Sequence, residues 1–221
     1  SGSTARVTSG ARTRLIPNFS YGDGSNDKVT VSFTGNTANL VWKGNDEISP
    51  NSWDLDTTAN FDNAGTPDTF LFGDSVLFDD TASSFAPAIT GTLTPRVVTF
   101  NNSTNAYTLS GAGAIALNTS LVKSGSNSLT ISNANTFTGS VSVNGGSLLI
   151  GNAGALGAAG TKEVTVDGGT LDFNGVSPGT TRAYNYSIAG NGNGTGALVN
   201  SHATVSVGAN SGIANLTLTD N

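Results

Sequence analysis

Residues 141–150, VSVNGGSLLI, recur 23 positions later as VTVDGGTLDF at 164–173. Val141 matches Val164, Val143 matches Val166, and Asn144 matches Asp167. The pair Gly145-Gly146 matches Gly168-Gly169, Leu148 matches Leu171, and Ile150 matches Phe173. A unit this short cannot bury its own apolar face. It becomes stable only when copies stack, which is the logic of a solenoid. Each copy alternates apolar residues with Ser or Thr, the period-2 pattern of half-buried strands. Stacked strands lie ~4.8 Å apart and bring like side chains over like. The Asn-Gly and Asp-Gly dipeptides mark turns, because both central positions tolerate positive φ. The same dipeptides also suit a plain β-hairpin, which is the competing reading of 141–150. A second echo links 128–132, SLTIS, with 215–219, NLTLT, each preceded by a glycine, Gly125 and Gly212.

Composition supports strands over helices. Gly (29), Ser (26), Thr (30) and Asn (25) make up 110 of the 221 residues. All four are poor interior helix formers, so a helical bundle is excluded. No apolar run approaches the ~18 residues of a membrane-spanning helix. Absent Cys and a single His argue against zinc and iron–sulfur centres. Low charge and abundant Gly and Ser could suggest disorder. Against that stand the alternating stretches Val29–Phe33, Leu129–Ile131, Val141–Val143, Val164–Val166, Val205–Val207 and Leu216–Leu218. The chain reads as all-β, with many short strands and Gly/Asn turns. At this period, residues 90–221 hold roughly six coils.

The stretch Lys123-Ser-Gly125-Ser-Asn-Ser-Leu129-Thr-Ile131-Ser-Asn-Ala-Asn135-Thr-Phe137-Thr-Gly139-Ser-Val141-Ser-Val143-Asn-Gly145-Gly146-Ser-Leu148 resembles the autotransporter-associated β-strand repeat. The following Gly151-Asn-Ala-Gly-Ala-Leu156-Gly157 fits that repeat's tail. Asn127 and Ser140 stand where the motif commonly has Gly; neither touches the apolar ladder. Upstream, Val41-Trp42, Trp53, Asn60-Phe61, Gly73-Asp74 and Tyr107-Thr-Leu109 are similar to segments that precede such repeats. The resemblance covers 40–157 well and 158–221 loosely. It implies a right-handed β-helix on a large secreted or surface protein and carries no catalytic residues. The expected layout is an extended arm with edge strands (1–39), a Trp-containing acidic capping segment rich in strands (40–89) and a β-helical body (90–221).

Charge is unevenly spread. Residues 46–80 hold nine of the fifteen acids, including Asp54, Asp56, Asp79 and Asp80, while Arg6, Arg12 and Arg14 lie near the start. A sequence pI near 4.4 leaves no basic patch for nucleic acid. Asp23-Gly-Ser25-Asn-Asp27 and the Asp54/Asp56 and Asp79/Asp80 pairs offer oxygen ligands for Ca²⁺, yet none matches a known Ca²⁺ loop. No metal or other cofactor is expected beyond that ion.

Catalysis finds little support. His202 has no acid between Asp172 and Asp220 to orient it and no nucleophile elbow to serve. Asp167 and Asp172 could approach one another as a glycosidase pair, but Asp167 fills the turn slot of Asn144. Trp42 and Trp53 offer either a glycan-stacking platform or a lid over the first coil.

The ends complete the reading. Aligned with Leu129–Ile131, Leu216 and Leu218 form a bare C-terminal edge that invites another chain. An arm bearing Arg6, Val7, Arg12 and Arg14 could lie on a neighbour's acidic surface at Asp54, Asp56, Asp79 and Asp80. Alternation at Ala5–Thr8 suits strand addition, and a head-to-tail contact of that kind propagates into a homopolymer. The expectation is an extracellular or cell-surface structural protein, non-catalytic, assembling with copies of itself into a filament or matrix. The alternative is an adhesive module of a larger autotransporter-like passenger, with polysaccharide as a partner.

Overall fold

A computed structural model describes residues 12–21, 29–160, 162–206 and 212–219. Arg6, Val7 and the 23–27 loop lie outside these residues.

The 23-residue repeat stacks in register. Val141 pairs with Val164 and Val143 with Val166, in parallel. One side over, Ser147 pairs with Thr170 and Leu148 with Leu171. The hairpin reading of 141–150 is excluded, because its two strands belong to different sheets. The described residues are all-β apart from one 3₁₀ turn, Thr180–Arg182, and form a β-solenoid.

Its largest face is a ten-stranded sheet. From the C-terminal side the order is Ile213–Leu218, Tyr184–Ala189, Glu163–Asp167, Val141–Val143, Ser120–Ser124, Val97–Asn101, Ser75–Asp79, Asn39–Trp42, Phe61–Asn63 and Thr66–Asp68. Two inward columns run down it. Leu40, Val76, Val98, Leu121, Val141, Val164, Tyr186 and Leu216 form the first. Phe78, Phe100, Lys123, Val143, Val166, Ile188 and Leu218 form the second. Phe78 and Phe100 stack with centroids 4.4 Å apart and planes at 10°, as register demands. A second, five-stranded sheet stacks Tyr107, Leu129, Leu148, Leu171 and Leu198. The third side begins with Thr92–Leu93 beside Ala114–Ile115 and continues through main-chain bonds, Thr136 N–H to Ile115 O and Ala158 N–H to Phe137 O.

From Val76 to Tyr186 the steps along the first column are 22, 23, 20, 23 and 22 residues, about five turns. The last step, Tyr186 to Leu216, is longer at 30 residues, which is why 90–221 falls short of six coils. The parallel ladder starts at Asn39–Trp42, so residues 40–89 supply strands to the same sheet as well as a lid.

Two expectations are corrected. The echo between 128–132 and 215–219 is not a structural equivalence: Ser128–Ile131 lies in the five-stranded sheet, Ile213–Leu218 in the ten-stranded one. The Asn-Gly and Asp-Gly dipeptides make corners between sheets, as stacked coils require, but without the expected positive φ at both central positions. Neither Asn144 nor Asp167 takes a positive φ; only Gly146 (59°) and Gly168 (86°) do.

The N-terminal end is closed. Phe61–Asn63 and Thr66–Asp68 add antiparallel beyond Asn39–Trp42, joined through Ala64 (φ 52°) and Gly65 (φ 91°), the twist a two-residue hairpin requires. Beneath them Trp42, Trp53, Phe61, Phe70 and Phe78 pack edge-to-face or tilted, with centroids 5.2–6.3 Å apart. A separate antiparallel hairpin, Ile16–Tyr21 with Val29–Thr34, joins this end.

Candidate functional site

The repeat motif is explained by three inward-facing devices. Asn135 is fully buried on the third side. Its Oδ1 accepts the Ile115 N–H of the coil below and its Nδ2 donates to Ala155 O of the coil above. It thereby replaces strand pairing where the backbone turns. Gly139 follows because any Cβ there would lie 2.2 Å from Thr119 O. The third device is the leading lysine.

Lys123 and Lys162 are buried, and among the described residues neither has a carboxylate partner. Lys123 Nζ donates to the carbonyls of Ser124, Gly125 and Gly145, fastening a corner across two coils. Lys162 Nζ donates to Phe137 O and Leu156 O and sits 3.7 Å from the Phe137 ring centroid. Alternation after Leu121 already points Lys123 inward; a lysine in that slot was the signal to read.

Burial pushes Lys123 down to about 8 and Lys162 down to about 7, with Arg182 adding to the second. Between those values and the ordinary 10.5, the unfolded chain holds protons that the folded chain has released. Stability therefore rises with pH across that window. Above about 10 the sign reverses. Tyr107, Tyr184 and Tyr186, pushed up by burial, stay protonated in the fold while the unfolded phenols ionise. One unit is about 1.4 kcal/mol and one kcal/mol about 2–4 °C at this chain length. Thermal unfolding should give a midpoint that climbs several degrees from pH 7 to about 10 and then falls. A midpoint that drops steadily over the first interval contradicts this.

The residues singled out in the sequence fare differently. Arg12 bonds Asp56 at 2.9 Å within the same chain. Arg14 Nε meets Asp74 at 3.0 Å and its Nη2 meets Asp68 at 2.9 Å. Both arginines thus engage the acidic segment of their own chain. Asp54 accepts the Thr58 N–H and hydroxyl, and Asp79 those of Thr81. Asp80 takes the N–H groups of Ser103, Thr104 and Asn105, which hold its pKa below the ordinary value. These carboxylates shape turns. Trp42 and Trp53 have 0% exposure, so neither presents a face to a sugar. They serve the lid instead.

Asp172 is buried and accepts the N–H of Asn174 and Ser201, while Asp167 lies on the other sheet. His202 Nδ1 accepts the N–H of Thr204 and Val205, a turn role. Among the described residues no group of three or more His, Cys, Asp or Glu could hold a metal ion.

What the molecule presents outward is one face of the ten-stranded sheet. Its middle column reads Val41, Leu77, Thr99, Val122, Ser142, Thr165, Ser187 and Thr217. It is uncharged and mostly hydroxyl. Near the N-terminal end a groove of about 290 Å³ opens on this face, lined by Asn39, Val41, Ser75, Leu77 and Thr99 with Leu40 and Val76 beneath. Leu216 and Leu218, in the last described strand, are 50% and 76% exposed.

Residues 121–150 match the family model described as passenger-associated-transport-repeat. They span one coil and the start of the next. Over 49 residues, 22% of this chain, the sequence is 55% identical to the adhesin BmaC autotransporter of Brucella suis biovar 1 (strain 1330). That stretch is 1% of the relative's length. No solved structure matches.

Proposed function

From a chain whose coils carry an autotransporter-associated repeat, we propose a non-catalytic module of a surface or secreted passenger, adhesive in function. The observation that supports this most is positional. The matched residues 121–150 are the ladder itself, with Leu121, Lys123, Leu129, Asn135, Phe137 and Val141 all inward. The repeat therefore specifies a rigid rod and leaves the outer face free to vary. On that face, hydroxyls one coil apart and the groove beside Val41 and Leu77 offer many weak, aligned contacts to a polyhydroxylated or apolar partner. No orienting acid–base pair accompanies them.

The test is adhesion. Beads coated with the whole chain are offered to cultured epithelial cells and to immobilised polysaccharide, beside albumin-coated beads. Retention at least tenfold above albumin on one surface is expected. Thr99→Lys with Ser142→Lys should reduce it severalfold without shifting thermal unfolding. Retention equal to albumin on both surfaces overturns the adhesive reading.

A further inference from the structure

We propose that Asn144 is a self-modifying residue: its side-chain amide closes on the Gly145 main-chain nitrogen, releases ammonia and leaves an isoaspartyl or aspartyl residue at the corner. This stands independently of the adhesive reading.

Four Asn-Gly pairs occur, at 144–145, 174–175, 191–192 and 193–194. A following glycine has no Cβ to keep its nitrogen away from the asparagine Cγ, and its backbone turns freely. In the sequence the four pairs are equal. The fold makes them unequal. The Gly175 N–H donates to Asn200 Oδ1 at 2.7 Å, and Asn174 Nδ2 donates to Ile150 O. Asn193 Oδ1 accepts the Thr170 and Thr195 hydroxyls, and its Nδ2 donates to Ser147 Oγ at 2.9 Å. The Asn191 carbonyl accepts the Gly196 N–H at 3.1 Å, within the Gly192–Gly196 bridge. Each of these three must break hydrogen bonds before its side chain can reach the next nitrogen.

Asn144 carries no such restraint. It is exposed, and among the described residues neither its side-chain amide nor the Gly145 N–H has a hydrogen-bond partner. Its own N–H is fixed to Lys123 O at 2.8 Å, which anchors the corner while the side chain turns. The buried Lys123 ammonium lies 3.4 Å from Gly145 O. A positive charge so close favours the anionic nitrogen that the reaction needs.

The Gly145 nitrogen gives up its proton and attacks Asn144 Cγ. The Cγ–Nδ2 bond breaks, and Nδ2 takes up a proton and leaves as ammonia. Water then opens the five-membered imide. Opening at Cγ leaves an aspartyl residue; opening at the main-chain carbonyl leaves an isoaspartyl one, with the chain running through Cγ. The slot accepts a carboxylate, because Asp167 follows Val166 just as Asn144 follows Val143, in paired register. Two carboxylates then lie side by side on neighbouring strands, an unfavourable pair. The isoaspartyl form also adds a methylene to the backbone just before Gly146, whose φ of 59° makes the corner. Either product puts a negative charge two residues from Ser142 of the outward column, in a chain already at −6.

The whole chain, folded or held unfolded in urea, is kept at mildly alkaline pH and body temperature for weeks. Each Asn-Gly peptide is then read by mass spectrometry, with fragmentation that separates isoaspartyl from aspartyl. In the folded chain Asn144 should convert roughly tenfold faster than the other three, the effect of one or two hydrogen bonds that they must first break. In urea the four rates should converge. Gly145→Ala should slow conversion severalfold with thermal unfolding little changed, since Gly145 takes no positive φ and the nearest atom to an added Cβ is Gly125 O at 3.2 Å. An Asn144 that stays an amide in the folded chain overturns the proposal. So does folded-state conversion in which Asn174 or Asn193 keeps pace with it.

Discussion

Replacing Arg14 with Ala is expected to destabilise the fold by about 3–5 kcal/mol. Asp74 has 0% exposure, and among the described residues Arg14 is the one cation that touches it. Without the guanidinium a buried carboxylate keeps only the N–H groups of Ala38 and Leu71 as donors. The loss should spread, because Arg14 also binds Asp68 in the outermost strand and Thr69 O beside it. Urea unfolding should show a lower midpoint with little change in slope. Asp74→Leu should be no milder, since it strips the acceptor from both backbone amides. Arg12→Ala is the contrast: its pair with Asp56 is more than a third exposed on both sides and belongs to the class that contributes ~0–1 kcal/mol. Equal effects for Arg12 and Arg14 would contradict this account of the cap.

Asn135→Ala should cost a comparable ~3–5 kcal/mol. The substitution removes the acceptor of the Ile115 N–H, the donor to Ala155 O and the partner of Asn133 Nδ2. Each buried group left unpaired costs about 1–3 kcal/mol. Asn135→Asp keeps the acceptors but loses the donor and buries a charge, so it should not rescue. Ser142→Ala, on the outward face one strand away, should stay within about 0.5 kcal/mol of the parent. Thermal and urea unfolding of the three variants check the ranking. An Asn135→Ala protein as stable as Ser142→Ala would show that the third side does not depend on this bridge.

Repeat and alternation carried the fold in the sequence, because stacking requires the same apolar residue at the same place in each coil. That is why Val141 over Val164 and Leu148 over Leu171 could be read directly. A period-2 pattern does not say which side of a coil a strand occupies. So Leu129–Ile131 and Leu216–Leu218, nearly identical as strings, fall on different sheets. Turn dipeptides left a hairpin open beside the stacked coil, because a corner between sheets and a hairpin both use Gly, and only long-range pairing separates them. Lys123 was hidden by its chemistry, since a lysine among apolar residues reads as surface until three carbonyls are found around its ammonium. Trp42 and Trp53 read as either a platform or a lid in a string of residues. Depth alone turns them into a lid.

The candidate surfaces were partly visible. The hairpin at 16–34 was missed as a surface, since its apolar face emerges only once Pro17 is set against Phe33 and Phe19 against Val31. The arginines beside it drew attention to an arm; Arg12 ties the root of that strand pair to Asp56, and Arg14 ties it to Asp68 and Asp74.

Register is the claim beneath all of this, and backbone nuclear Overhauser contacts in the labelled protein read it directly. Amide-to-α contacts should connect Val141–Val143 with Val164–Val166, and Ser147–Leu149 with Thr170–Asp172, in parallel order. Contacts running antiparallel between Val141–Val143 and Ser147–Ile150, with none to the following repeat, would replace the solenoid with a hairpin.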